Sequence, residues 1–446
     1  MKIFEKGGIK TLVLLLSSTP DIEAQRFSAL AIANVSSAAR CRVKIGQDGA
    51  TAMELISYLQ RENDEQGSQC ADYLAKQYCA IAIGNLSSDP ANRFCIVELG
   101  GVSALVTLLK SSEADIDCCK FAAFALANIA SNSCHRGDIV QEGAITPLVS
   151  LACCDEVDTQ RKALAALRSI CIDPNYRIEV VRLGIIDPLI LIARSASDRR
   201  DIYLLREVAG AFNCLSCMEE NKNDICDRAI SSVLSLLLAN EVEVERHGSS
   251  AIASLLEVSD IHECFLSEKG IAPLMALSKS EDLICKGEAI RGLSNLAANM
   301  KFQGVLLQEG ILNCMTDALK KEEINCKRFA ALCLANLSTT VSSQEQIMAK
   351  CDTISLVIAL AKSTSSQIEA RRYAVLVLAN LSATIANHQI ILDNDGLGAI
   401  FSSANFTPDV MLQYYVGCAL SNLSSNPTNH ELILKNGGIQ PLISLL

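Results

Sequence analysis

FAAFALANIA, residues 121–130, is one copy of a phrase that recurs along the chain. It returns as FSALAIANVS at 27, YCAIAIGNLS at 78, FAALCLANLS at 329, YAVLVLANLS at 373 and YVGCALSNLS at 415. Weaker copies are KALAALRSIC at 162, EVAGAFNCLS at 207, HGSSAIASLL at 247 and EAIRGLSNLA at 288. In register, one position falls on Asn34, Asn85, Asn128, Ser169, Cys214, Ser254, Asn295, Asn336, Asn380 and Asn422. The steps are 51, 43, 41, 45, 40, 41, 41, 44 and 42 residues. A sustained period of this length predicts a solenoid, in which each repeat buries its apolar faces only against its neighbours.

A second phrase keeps phase with the first. GGIKTLVLLL, GGVSALVTLL, GAITPLVSLA, GIIDPLILIA, GIAPLMALS and GGIQPLISLL begin at a glycine, the last of each being Gly8, Gly101, Gly143, Gly184, Gly270 and Gly438. Glycine suits a sharp turn between helices because it tolerates positive φ and lets backbones approach closely. A short amphipathic piece such as NRFCIVELG precedes it. Each repeat therefore reads as a short first helix, a Gly turn, a second helix with Pro often in its first turn, a polar loop and a long third helix. The expected division of 1–446 is a single solenoid with repeats at 1–38 (partial), 39–89, 90–132, 133–173, 174–218, 219–258, 259–299, 300–341, 342–385, 386–427 and 428–446 (partial). The longest step contains RENDEQGSQ at 61–69, expected to be an exposed loop between second and third helices.

Three helices with that Gly turn, a PLVxLL second helix and an ALxNLx third helix resemble the armadillo repeat, and the resemblance covers the whole chain. It implies an all-α, right-handed superhelix whose third helices line a concave groove, and it implies protein–protein interaction rather than catalysis. The repeats look most like those of the vacuolar armadillo scaffold of fungi and its protist and plant relatives. Nuclear-import adaptors of the importin-α type pair the third-helix Asn with a Trp four residues earlier. Here that position holds Leu30, Ile81, Phe124, Ala165, Gly210, Ser250, Arg291, Leu332, Leu376 and Cys418, which argues against that function.

Composition follows from the stacking. Half of the 446 residues are hydrophobic and mean hydropathy is +0.27, yet no stretch approaches the roughly 18 apolar residues of a membrane span. Small residues such as Ala122, Ala123, Ala125 and Cys333 would permit close helix approach. MKIFEKGG carries neither a signal-peptide pattern nor a Gly at position 2 for myristoylation, so a cytoplasmic chain with twenty reduced cysteines is expected. A cilium or an organelle surface is the alternative location. Net charge of −11 argues against nucleic-acid binding. Both ends stop at a second helix, which points to a longer protein or a partner covering the ends.

Eight residues before the aligned position stand Arg26, Gln77, Lys120, Arg161, Arg206, Arg246, Gly287, Arg328, Arg372 and Tyr414. Seven of the ten are basic on a net-acidic chain. Offsets of −8, −4 and 0 share one side of a helix. Two parallel ladders result: amides at Asn34, Asn85, Asn128, Asn295, Asn336, Asn380 and Asn422, and cations at Arg26, Lys120, Arg161, Arg206, Arg246, Arg328 and Arg372. An Asn amide can hold an extended main chain without reading its sequence, and Arg adds a preference for carboxylate or phosphate. Repeats stacked roughly 8–10 Å apart would each pass about three residues of an extended ligand. The expected partner is a protein segment bearing spaced acidic or phosphorylated residues. The competing reading is architectural: the amides end helices and bond neighbouring repeats, and the cations are solvated first-turn residues. A permanent structural subunit of a ciliary or cytoskeletal complex is the alternative function, and a transport cargo adaptor the third. The Asn ladder lapses at Ser169, Cys214 and Ser254, where either charge recognition takes over from main-chain gripping or the repeats have drifted without binding.

Other signals carry less. Cys214 and Cys217 form a CxxC without a second pair, read as buried small residues and not as a zinc or redox site. Asn34, Asn85, Asn336, Asn380 and Asn422 head N-x-[ST] sequons, but they are the ladder itself, in helices. No HExxH, P-loop or nucleophile elbow is present, so no enzyme, metal or cofactor is expected.

Overall fold

The apolar phrases of the third helices do become helices. The computed structural model describes residues 6–61, 72–111, 115–321, 323–363, 367–404, 409–436 and 438, so the 61–69 loop (beyond Arg61) and the final GGIQPLISLL (except Gly438) lie outside the described residues. The chain divides into two compact units, 1–221 and 222–446. In the first, the third helices are Ile22–Ser37, Tyr73–Ser87, Ile116–Ala130, Val157–Cys171 and Ile202–Leu215. In the second, they are Val242–Leu255, Leu283–Ala297, Ile324–Leu337, Ile368–Ser382 and Val410–Ser424. Within each unit every third helix packs along the next, and the second helices back onto them from one side. No strand is present among the described residues. Both units are all-α solenoid stacks.

Each third helix starts from an acidic or amide residue followed by an aliphatic or aromatic one. Asp21, Asp72, Glu156, Asp201, Glu241, Asp282, Glu323 and Asp409 accept main-chain N–H groups of their own first turn, satisfying donors that a helix start leaves unpaired. Further along, the small residues let neighbours close up: Ala122, Ala123, Ala125 and Cys333 are fully buried.

The glycine turns divide two tasks that the sequence assigned to one residue. Gly7, Gly100, Gly143, Gly184 and Gly310 take positive φ. In the pair Gly100–Gly101 the second residue begins the helix Gly101–Lys110, and a Cβ there would stand 2.6 Å from the Ile96 carbonyl oxygen. At Gly270 and Gly396 the preceding Lys269 and Asp395 adopt the left-handed conformation instead, with φ of 57° and 62°. Those glycines serve close approach alone.

One repeat departs from the three-helix plan. Residues 219–236 run as one helix, Glu219–Leu236, where a short first helix, a turn and a second helix were expected. The reason is local: EENKNDICDRAISSVLSL contains neither Gly nor Pro, so nothing breaks the i to i−4 ladder.

Candidate binding face on the third helices

The predicted amides share the third-helix face, and their hydrogen bonds have one direction. Asn85 Nδ2 donates to the Ala33 carbonyl at 3.1 Å and to Ser36 Oγ at 3.2 Å. Asn128 Nδ2 donates to the Gly84 carbonyl at 2.9 Å and Ser88 Oγ at 3.1 Å. Asn295, Asn336, Asn380 and Asn422 reach the carbonyls of Ala253, Ser294, Ala335 and Ala379 at 3.0–3.1 Å. Each acceptor lies near the end of the preceding third helix, where carbonyls run short of intrahelical donors. The amides therefore tie repeat to repeat, as the architectural reading held. Their Oδ1 atoms have no partner among the described residues, so the ladder offers acceptors outward while its donors face the preceding helix. Asn34 is exposed.

The cations are more fully committed than the sequence suggested. Arg26 grips Asp72 with Nε and Nη2, both at 2.7 Å. Arg246 does the same to Asp282, and Arg372 to Asp409 at 2.6 and 3.3 Å. Arg328 pairs with Glu369 at 2.8 Å. In every case the carboxylate begins the third helix of the following repeat. The basic position thus forms a clasp between consecutive third helices. The three Arg–Asp clasps hold the carboxyl below the ordinary range: Arg26 for Asp72, Arg246 for Asp282, Arg372 for Asp409.

A folded-state carboxyl pKa that is depressed contributes stability above the unfolded value near 4, and that contribution is lost as pH falls. Arg246→Glu would set two carboxylates face to face. The variant is expected to melt a few degrees below wild type at pH 7, and the gap should shrink toward pH 4 as the pair takes up a proton. A gap independent of pH in thermal melts would show that the Arg246–Asp282 clasp contributes nothing.

In the first unit the central cations are not clasped in this way. Lys120 bonds Asp117 and Arg161 bonds Asp158, each three residues earlier in its own helix. Arg161 also lies 6.0 Å from the Tyr203 ring centroid, with Arg206 5.9 Å from the same ring. Sequence reading missed Lys162. Its ammonium rests 4.5 Å from the Phe124 ring centroid and has no carboxylate partner among the described residues. Burial, followed by the nearby Arg161 charge, lowers its pKa. Phe124 stands where the import adaptors carry Trp, and here it seats a cation of the protein itself.

A second ladder also escaped the sequence reading. Seven or eight residues beyond nine of the ten aligned positions, a side chain reaches six residues back to the last carbonyls of the third helix. Asn92, Arg136, Arg177 and Asn221 do so in the first unit, bonding Leu86, Ala130, Cys171 and Leu215. His262, Gln303, Gln344, His388 and Asn429 do so in the second, bonding Leu256, Ala297, Ser338, Ser382 and Leu423. The signal was legible as a polar residue at fixed phase inside an otherwise apolar first helix, but its chemical type changes from repeat to repeat.

One opening on the face lies in the second unit, between Ile368–Ser382 and Val410–Ser424. It is an open cleft of about 890 Å³ lined by Leu376, Asn380, Val410, Tyr414, Gly417 and Asn422, among others. Elsewhere, Cys217 of the CxxC is exposed and Cys214 half-buried, so the expectation of two buried thiols was wrong there. Both are free, and among the described residues no group of His, Cys, Asp and Glu could hold a metal ion. Other cysteines do pack as small apolar residues, and burial pushes the Cys118 thiol up to about 12. Among the described residues no single helix is long and apolar enough to cross a membrane.

Comparison with known proteins places this geometry. The family described as "Armadillo/beta-catenin-like repeat" matches residues 135–172. "Vacuolar protein 8" of Schizosaccharomyces pombe is 25% identical over 193 residues, covering 42% of this chain. The matched region spans about a third, 34%, of that relative's length. Among solved structures, an engineered protein superposes with a TM-score of 0.81 at 24% identity, covering 93% of this chain and 98% of its own.

Proposed function

We propose that this chain, which matches the armadillo repeat over residues 135–172, is a non-enzymatic armadillo-type scaffold whose third-helix face holds extended acidic or phosphorylated segments of other proteins. One observation carries the preference for anions. Lys162 is a half-buried ammonium without a carboxylate, flanked by Lys120 and Arg161, which are paired only within their own helices. An incoming carboxylate or phosphate relieves that local excess, and the aromatic rings of Phe124 and Tyr203 exclude water beside it. The outward Oδ1 atoms of Asn85 and Asn128 accept main-chain N–H groups of the same segment. The clasped cations Arg26, Arg246, Arg328 and Arg372 contribute less, because binding through them would first break an inter-repeat pair. The vacuolar name of the fission-yeast relative supports a place of action at an organelle surface.

The test is a fluorescein-labelled, extended decapeptide of alternating glutamate and phosphoserine, titrated with the whole chain at low and moderate salt. Wild type is expected to bind with an affinity that falls as salt rises. The double variant Arg161→Glu, Lys162→Glu is expected to bind at least about tenfold more weakly at equal helicity, each lost charge-assisted contact being worth on the order of 1–2 kcal/mol. Equal binding by both proteins would refute the anion site.

A further inference from the structure

The cleft between Ile368–Ser382 and Val410–Ser424 has a different chemistry from the cation-rich part of the first unit. The position that carries a cation in most repeats is Tyr414 here, and the cation at that position one repeat earlier, Arg372, is held in a bidentate pair with Asp409. The cleft is therefore electrically neutral. Its walls are uncharged and mostly apolar: Val410 and Tyr414 are 74% and 62% exposed, Leu376 and Cys418 line it as well, and Gln413 and Ser421 add uncharged polar groups. Its floor is Gly417, in mid-helix, where an added Cβ would meet nothing within 4 Å. At one edge stand Asn380 and Asn422. Their Nδ2 atoms already serve the carbonyls of Ala335 and Ala379 and the hydroxyls of Ser338 and Ser382. What they present outward is two hydrogen-bond acceptors, one repeat apart.

A row of acceptors beside a neutral, apolar hollow calls for a ligand with main-chain N–H donors and an uncharged bulky side chain. An extended chain has that form, and about three of its residues span one repeat. A Gly in mid-helix costs roughly 1 kcal/mol relative to Ala, so its presence at the floor of the hollow is explained by the space it leaves and not by helix stability. We propose that this cleft is a receptor for an uncharged extended segment, whose large aromatic or aliphatic side chain sits over Gly417 while its main chain donates to Asn380 and Asn422. The inference rests on the reading that the third-helix face takes extended segments, and it adds a second specificity, apolar and insensitive to salt.

The chain contains no Trp, so a tryptophan probe reports without background. Blocked pentapeptides Ac-Ala-Ser-Trp-Ser-Ala-NH2 and Ac-Ala-Ser-Ala-Ser-Ala-NH2 are titrated against the whole chain, the first by fluorescence and both by calorimetry. The Trp peptide is expected to bind, with a blue-shifted emission unchanged by salt, and the Ala peptide to bind at least tenfold more weakly. Gly417→Leu fills the floor with a better helix former, so the variant is expected to melt no lower than wild type yet bind the Trp peptide at least tenfold more weakly. Undiminished binding by Gly417→Leu, equal binding of the two peptides, or loss of binding with salt would each overturn the proposal. The glutamate–phosphoserine decapeptide separates the two readings. If it fails and the Trp peptide binds, the anion site falls alone. If it binds and the Trp peptide does not, the neutral cleft falls alone. Failure of both removes the extended-segment reading and this inference with it.

Discussion

Gly101→Val is expected to destabilise the first unit by about 3 kcal/mol, the upper part of the range for overpacking a tight site. The Cβ would fall 2.6 Å from both Ile96 Cγ2 and the Ile96 carbonyl oxygen. A side chain can rotate away, but the carbonyl belongs to the end of the helix Pro90–Glu98 and can move only by shifting that helix. Melting should drop by roughly 10 °C for a unit of this size. Gly304→Ala is the matching control: its site has open space around the added methyl, and the variant should hold or slightly raise the melting temperature. A Gly101→Val protein that melts with wild type would show that the turn relaxes and that close approach there is not required.

The second large effect belongs to Gln344→Leu. The Gln344 amide is buried and donates to the carbonyls of Ser338 at 2.9 Å and Asn380 at 3.1 Å, while its Oε1 accepts from Thr384 Oγ1 at 2.7 Å. Leucine matches the volume and supplies none of these bonds, leaving two carbonyls and a hydroxyl unsatisfied between repeats. At 1–3 kcal/mol for a stranded buried group, partly offset by added apolar burial, the loss is expected to be about 3 kcal/mol. Gln344→His should cost far less, because His388 makes the same six-residue reach to Ser382 one repeat on, at 2.8 Å. Denaturant unfolding of the three proteins decides the matter: similar stabilities for Leu and His would reduce the ladder to space filling.

These two sites show what could and could not be read from the chain. The ALxNLx phrase located every third helix, because an apolar stripe on a helix that stacks on both sides is a local property of the sequence. The Gly phrase located the turns, and its absence over 219–236 coincides with the single long helix there. The partners of the ladders were not legible. Arg246 and Asp282 stand 36 residues apart, and nothing in either residue states that stacking brings a helix interior beside the next helix's first residue. The basic position consequently looked like a ligand site, whereas Arg26, Arg246, Arg328 and Arg372 are bound within the protein. Lys162 went unread for the opposite reason. It interrupts no pattern, and only the ring of Phe124 on the adjacent helix marks it out.

The clasps also set how each stack answers a mechanical load. In the second unit they join Val242–Leu255 to Leu283–Ala297, Ile324–Leu337 to Ile368–Ser382, and Ile368–Ser382 to Val410–Ser424. The remaining joint has Gly287 at the basic position and no such link among the described residues, so tension along this stack is borne unevenly and strain concentrates there. In the first unit an Arg clasp of this kind closes the joint between Ile22–Ser37 and Tyr73–Ser87, and an Arg168–Glu207 pair ties Val157–Cys171 to Ile202–Leu215. The two joints from Tyr73–Ser87 to Val157–Cys171 are held by apolar contact, with the Asn128 amide across the first of them, and these slide and tilt at lower cost than an ion pair. The joint across which Lys162 meets Phe124 is thus the compliant part of its stack, able to open or close its pitch to suit a ligand, while the neutral cleft around Gly417 is framed by a joint that is pinned.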